Sequence, residues 1–160
     1  MEKRRVVITG IGAITPYGAG TDVLWENLIK GNSCITTIEN FDTEGQTVTI
    51  AGEIKDKDFD TSKYLDPKQA KRMDKYMQVG VIAADIAIKD ANITISDYDP
   101  YKIGVILGSA AGGFRTFETN HLTMLDRGPT KCSPFTVPML IVNMASGKVA
   151  EKYGLKGINK

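Results

Sequence analysis

The stretch from residue 66 to residue 91 constrains this chain more than any other. It opens on Asp66-Pro67, an acidic N-cap followed by proline at the first helical position, where the missing N–H is not needed. Met73, Met77, Gly80, Val81, Ala84, Ile88 and Ala91 then recur at spacings of three and four, the period of one helix face. From residue 79 onward Val79, Ile82, Ala83, Ile86 and Ala87 fill much of the remaining circumference. The spacing predicts a helix over 66–91 with a break near 72–74. A helix apolar nearly all round must be covered on most sides, which points to a multilayer protein.

The flanking segments alternate in period. Residues 5–9 are a continuous apolar run, as in a strand buried on both faces, and lead into the glycine-punctuated loop Gly10 to Gly18. A helix is predicted over 22–30, with Thr21 as N-cap, Gly31 just past its end, and Leu24 and Leu28 one turn apart. Residues 47–54 read as a half-exposed strand and 102–107 as a second buried one. A helix over 114–126 ends at Arg127-Gly128-Pro129, and 133–138 is extended because residues before proline avoid the α region. Pro138 then opens a helix to residue 153, stopped by Gly154. The order β-α-β-α-β-α predicts an α/β architecture with a mixed, partly parallel sheet.

Charge narrows the partners. Twenty Lys+Arg against 19 Asp+Glu leave a net charge of +1, so there is no broad basic face for a nucleic acid, and any electrostatic recognition is local. No apolar run approaches the ~20 residues of a membrane span. The start Met1-Glu2-Lys3-Arg4-Arg5 before Val6-Val7-Ile8 resembles a secretory leader, but its apolar run stops at Thr9-Gly10. Cys34 and Cys132 are too few for a disulfide framework, and His121 has no metal-ligand spacing to them. A single soluble, cytoplasmic domain without metal or cofactor is the expectation.

Glycine loops after strands raise a nucleotide-binding reading, which fails at residue level. Gly10 and Gly12 lack the third glycine of a dinucleotide fingerprint, since Thr15 occupies its place. Gly108 and Gly113 have phosphate-loop spacing, but Phe114-Arg115 follows where lysine and a hydroxyl residue are needed. Close approach of a helix or another backbone explains these glycines better. Ser109 and Ser146 lack a nucleophile elbow, Cys34 and Cys132 read as inert thiols, and His121 reads as a surface or boundary residue. One charge cluster stands out. Lys68, Lys71, Arg72 and Lys75 fall at i, i+3, i+4 and i+7 with only Asp74 nearby, and Lys131 extends the patch if the fold brings it alongside. Spaced cations on a helix suit an acidic protein partner.

Several motifs, in order along nearly the whole chain, carry a family resemblance. Arg4 to Gly12 with Thr15-Pro16 and Gly18, then Phe41-Asp42, Lys71-Arg72-Met73-Asp74 and Gly108-Ser109 with Gly112-Gly113, resemble the β-ketoacyl-[acyl-carrier-protein] synthases of the type II condensing-enzyme group. Ser133-Pro134-Phe135, Asn143-Met144-Ala145 and Tyr153-Gly154-Leu155-Lys156-Gly157 continue the match. The resemblance implies the thiolase fold, five layers α-β-α-β-α, in homodimers that elongate fatty acids without a metal or redox cofactor. It implies partnership with acyl carrier protein, whose phosphopantetheine arm carries the acyl and malonyl groups.

By the same resemblance, Lys68, Lys71, Arg72 and Lys131 meet the acidic carrier protein. Ala111 and Thr136 stand where relatives carry larger residues walling the acyl pocket, which implies a wider pocket here. In relatives the turn matching Gly157-Ile158-Asn159 leads to a strand ending Thr-Ala-Cys, whose cysteine takes the acyl group. Ile158 replaces a proline common there, a departure expected to loosen the tail. Residues 1–160 are thus expected to be a partial N-terminal half of the domain, ending before the catalytic cysteine. Cys34, Cys132 and His121 do not occupy the family's catalytic positions, so this chain alone is expected to be inactive. The alternative is a non-catalytic docking or dimerisation module for a partner subunit.

Overall fold

The helix expected over 66–91 forms in two pieces. In the computed structural model, which describes residues 4–55 and 59–160, helix Pro67–Ala70 and helix Lys75–Asp90 are separated by a turn at the expected break. The leader-like start, Met1 to Lys3, lies outside the described residues. Contacts divide the chain into two compact units, Met1–Asp60 with Asp85–Ile93, and Thr61–Ala84 with Thr94–Lys160.

In the first unit, β1 (Ile14–Thr15) pairs antiparallel with β2 (Gly18–Ala19), followed by α1 (Thr21–Ile29). Gly20 rather than Thr21 is the N-cap of α1, with φ +112, and Gly31 follows its end at φ +67. β3 (Ile35–Thr37) pairs antiparallel with β4 (Ile50–Gly52), placing Thr36 opposite Ala51, so the strand expected over 47–54 is shorter. Residues 5–9 do not form the expected strand. Among the described residues no strand lies beside them, and Val6 and Ile8 are 90% and 84% exposed. An apolar run becomes a strand only when neighbouring backbone takes up its N–H and C=O groups. The next residues do find a partner, the end of helix Lys75–Asp90. The Ile11 amide donates to Asp90 Oδ2 at 2.8 Å, and a Cβ added to Gly10 would stand 2.3 Å from the Ala87 carbonyl oxygen.

The second unit is helical, built from α2 (Pro67–Ala70), the first ten residues of α3 (Lys75–Asp90), α4 (Phe114–Arg127), α5 (Thr136–Leu140) and α6 (Met144–Tyr153). Its core is Leu65, Met73, Met77, Val81, Ile82, Ala145 and Val149, all buried. Gly80 lets α3 meet Leu107 and Ala145, since a Cβ there would touch their side chains at 3.5 and 3.7 Å. Residues 102–107 form less of a strand than expected. Pro100–Lys102 is a 3-10 turn, and Val105 makes a single parallel bridge to Asn159. Bonds from Val105 N to the Ile158 carbonyl (2.7 Å) and from Lys160 N to the Val105 carbonyl (3.0 Å) hold the tail. Ile158 takes part through its backbone carbonyl, while its side chain is exposed.

The extended segment expected over 133–138 is also corrected, because Thr136–Leu140 is helical with Pro138 in its first turn, where a missing N–H is tolerated. The helix expected from 138 to 153 is accordingly two helices. Carbonyls at the end of the first helix and just after it are taken up elsewhere: Leu140 accepts from Gly113 N at 2.9 Å and Ile141 from the Tyr76 hydroxyl at 2.6 Å. Gly154, left-handed at φ 65, ends α6 as expected. Among the described residues, no helix is long and apolar enough to cross a membrane.

Candidate functional site

Asp66 starts the basic helix by accepting from the Lys68 and Gln69 amides at 2.9 and 3.1 Å through one carboxylate oxygen. At the other end the Gln78 side-chain amide donates to the carbonyls of Ala70 (2.9 Å) and Met73 (3.1 Å), joining the Met73 amide, which donates to Ala70 at 3.1 Å. Between these clamps the run Lys71-Arg72-Met73-Asp74 divides. Lys71 and Arg72 are exposed, as is Lys68, whereas Met73 and Asp74 are buried at 6% and 7% exposure. Asp74 accepts from Thr116 N at 2.9 Å, Thr116 Oγ1 at 2.6 Å and Tyr76 N at 3.3 Å. It thus caps α3 and fastens the first turn of α4. Because α2 ends at Ala70, the face read from 68 to 75 does not run on to Lys75, which is half-buried at the start of α3.

Lys131 lies exposed in the 3-10 turn Pro129–Lys131. The segment after it reaches the basic helix, where the Arg72 guanidinium sits over the Phe135 ring, 4.8 Å from its centroid. Such a contact contributes ~0.5–1 kcal/mol at an exposed site and orients the cation. A further feature, not read from the sequence, involves the same cations. Lys68 and Arg72 share a cleft of ≈ 580 Å³ with Lys148 and Lys152 of α6, above Leu65 and Met73. Lys148 pairs with Glu151 at 2.6 Å. The available sequence signal was the Lys148-Lys152 spacing of four, masked by the carboxylate between them.

The two pocket candidates belong to elements in direct contact. The Ser109 hydroxyl accepts from Gly112 N at 3.0 Å, shaping the loop that carries Ala111. The loop lies against α5 so closely that a Cβ on Gly112 or Gly113 would stand 2.3 or 2.0 Å from the carbonyl oxygens of Leu140 or Met139. These glycines serve backbone approach, in keeping with the rejection of a phosphate loop. Thr136, half-buried one turn before Leu140, donates through Oγ1 to the Ser133 carbonyl at 2.7 Å, whereas Ala111 is exposed.

The reactive side chains have structural partners. Cys132 Sγ lies 3.6 Å from the Asn120 carbonyl oxygen, and the His121 ring stacks on Phe117 with centroids 6.2 Å apart. The Tyr17 phenol donates to the Asn32 carbonyl oxygen at 2.5 Å, and the neighbouring Cys34 thiol, followed by burial, holds that phenol above its ordinary pKa. Among the described residues no group of three or more His, Cys, Asp or Glu side chains is placed to hold a metal ion.

Comparison with known proteins decides the family. A family model described as the beta-ketoacyl synthase N-terminal domain matches residues 3–160. The chain belongs to the β-ketoacyl synthase family. It is 44% identical over 159 residues to a 3-oxoacyl-[acyl-carrier-protein] synthase 2 of Synechocystis sp.. It is 45% identical over 158 residues to the enzyme of the same description from Staphylococcus aureus. Each alignment covers 99% of this chain and 38% of the relative, so the chain spans about two fifths of the length of these curated relatives. Among solved structures, the ishigamide ketosynthase/chain length factor superposes with a TM-score of 0.88 at 25% identity, over 99% of this chain and 40% of that one. A beta-ketoacyl synthase from Burkholderia phymatum gives 0.77 at 23% identity, over 97% and 38%. The α/β, thiolase-like fold class expected from the β-ketoacyl synthase resemblance therefore holds.

Proposed function

We propose that this chain is the N-terminal part of a β-ketoacyl-[acyl-carrier-protein] synthase that elongates fatty acids in the cytoplasm as a homodimer. In that reaction a cysteine thiolate attacks the carrier thioester, taking the acyl group and releasing the carrier thiol. Malonyl-carrier protein then loses carbon dioxide, and the resulting carbanion attacks the acyl-cysteine, expelling the thiolate and leaving a lengthened β-ketoacyl chain on the carrier. These 160 residues supply docking and pocket walls rather than the nucleophile. Lys68, Lys71, Arg72 and Lys131 receive the acidic carrier protein. Ala111 and Thr136 line a wide acyl pocket that takes long chains. The chain alone is inactive.

The observation that carries this reading is the division of Lys71-Arg72-Met73-Asp74, which fixes two cations outward by burying the residues that follow them. The ketosynthase partnered by a type II polyketide acyl-carrier protein in a solved complex, with a TM-score of 0.77 to this chain, supports a carrier as the partner. The likeness to a ketosynthase/chain length factor favours a second reading, a non-catalytic half supporting another subunit.

The test offers acyl-carrier protein thioester to the chain. Intact-mass spectrometry should find Cys34 and Cys132 unacylated, and a specific adduct on either refutes the inactivity. In the same mixture Arg72→Glu should weaken carrier binding about tenfold, since reversing a docking cation costs both attraction and encounter rate.

A further inference from the structure

Arg72 and the ring beneath it belong to a closed circuit of contacts. Two residues past Arg72, Asp74 holds Thr116 in the first turn of α4, by bonds of 2.9 Å to its amide and 2.6 Å to its hydroxyl. One turn on, the Asn120 side-chain nitrogen donates back to the Thr116 carbonyl at 2.9 Å, and its oxygen accepts from the Ser133 amide at 2.8 Å. Turning that side-chain amide over would set donor against donor and acceptor against acceptor, so the two bonds fix one orientation. Ser133 in turn gathers the start of α5. Its hydroxyl accepts from Phe135 N at 3.2 Å, and its carbonyl accepts from Thr136 N at 3.1 Å and Thr136 Oγ1 at 2.7 Å. Residues 133–136 are thus knit into one turn, and Asn120 fastens that turn to α4. The circuit closes where the Phe135 ring lies under the Arg72 guanidinium.

We propose that Asn120 is a positioning residue: its side-chain amide places the Ser133 turn, and through it both the Phe135 ring under Arg72 and the Thr136 side chain. Because Thr136 walls the proposed acyl pocket, Asn120 governs which acyl chains fit without touching them. The placing of the turn stands on the hydrogen bonds, whereas its effect on acyl chains rests on the pocket reading of Thr136. An apolar side chain of similar size would fill the space of Asn120 but leave the Ser133 amide without its acceptor. That difference separates positioning from packing.

The test compares Asn120→Leu, which keeps the volume and loses the amide, with the unaltered chain. In the 160-residue chain, amide exchange followed by NMR should become about tenfold faster at Ser133. The Thr116 amide, held by Asp74, should stay within about twofold and so report an intact α4. The Arg72 Nε proton, shifted by the ring current of Phe135, should move toward its position in Phe135→Leu. Asn120→Ala should repeat these changes and serves in place of Asn120→Leu if the larger side chain unsettles α4. An unchanged Ser133 rate or Arg72 shift overturns the positioning role. In the complete synthase, Asn120→Leu should change the ratio of kcat/KM for long and short acyl-carrier substrates about threefold. Thr136→Phe should change the same ratio at least as much, in favour of short chains. If Thr136→Phe shifts the ratio and Asn120→Leu does not, the inference falls and the pocket reading stands. If Thr136→Phe leaves the ratio unchanged, the pocket reading falls and takes the effect on acyl chains with it.

Discussion

Asp74 is where the docking surface and the core of its unit depend on one side chain. It accepts three hydrogen bonds while only 7% exposed, two from Thr116 and one from the Tyr76 amide. Asp74→Ala removes both acceptor oxygens, and with them all three bonds, and leaves the Thr116 hydroxyl and amide buried without them. Bonds to charged groups contribute ~1.5 kcal/mol each at the low end, so the two to Thr116 account for ~3 kcal/mol. Loss of the α3 cap adds ~1 kcal/mol, for an expected cost of ~4 kcal/mol. Asp74→Asn keeps the shape and one acceptor and should cost ~1–2 kcal/mol. With a urea dependence of ~2 kcal/mol per molar, the alanine variant should unfold at ~2 M less urea and the asparagine variant at under ~1 M less. The assay is urea unfolding at neutral pH followed by far-UV circular dichroism. A double-mutant cycle with Thr116→Val should give a coupling of ~2 kcal/mol. An alanine cost below ~1 kcal/mol, or a coupling near zero, would refute the view that this carboxylate joins α3 to α4.

Two further outcomes test the same unit. Burial, and after it the charge of Asp74, raises the Tyr76 phenol above its ordinary 10.0. The unfolded chain thus loses this proton at lower pH than the folded one, so the contribution is full below about pH 10 and declines as pH rises through the folded value. Tyr76→Phe should flatten the alkaline fall in urea midpoint, and an unchanged slope contradicts the assignment. Glycine substitutions should split in sign. Gly113→Ala places a Cβ 2.0 Å from the Met139 carbonyl oxygen and should cost at least ~3 kcal/mol in thermal unfolding. Gly147→Ala, inside α6 with nothing within 4 Å, should stabilise by ~0.5–1 kcal/mol, and a shared sign would remove the close-approach explanation.

Local signals were legible where a few neighbouring residues complete the interaction. Asp66-Pro67 starts a helix because both the carboxylate and the amides it accepts from are within three residues. Gly31 and Gly154 end helices because each takes the left-handed conformation itself. The break at 71–74 was visible in the pattern, and the ordered motifs sufficed to identify the family. The site was legible as a list of cations but not as a surface. Nothing in Lys71-Arg72-Met73-Asp74 alone says that the carboxylate turns inward to Thr116, 42 residues away in sequence.

What the sequence by itself determined, then, is the helix start at Asp66-Pro67, the helix ends at Gly31 and Gly154, the family and the basic residues on offer. Only the tertiary structure decided which apolar runs pair, where the stretch after Pro138 breaks, and which cations face one another. Residues 5–9 and 102–107 have strand-like sequences, yet their state depends on backbone groups far away in the chain, and just one of them meets a partner, at Asn159. Lys148 and Lys152 join Lys68 and Arg72 for the same reason. Their shared cleft is lined from α2, the turn after it and α6, and the periodicity of neither helix encodes it.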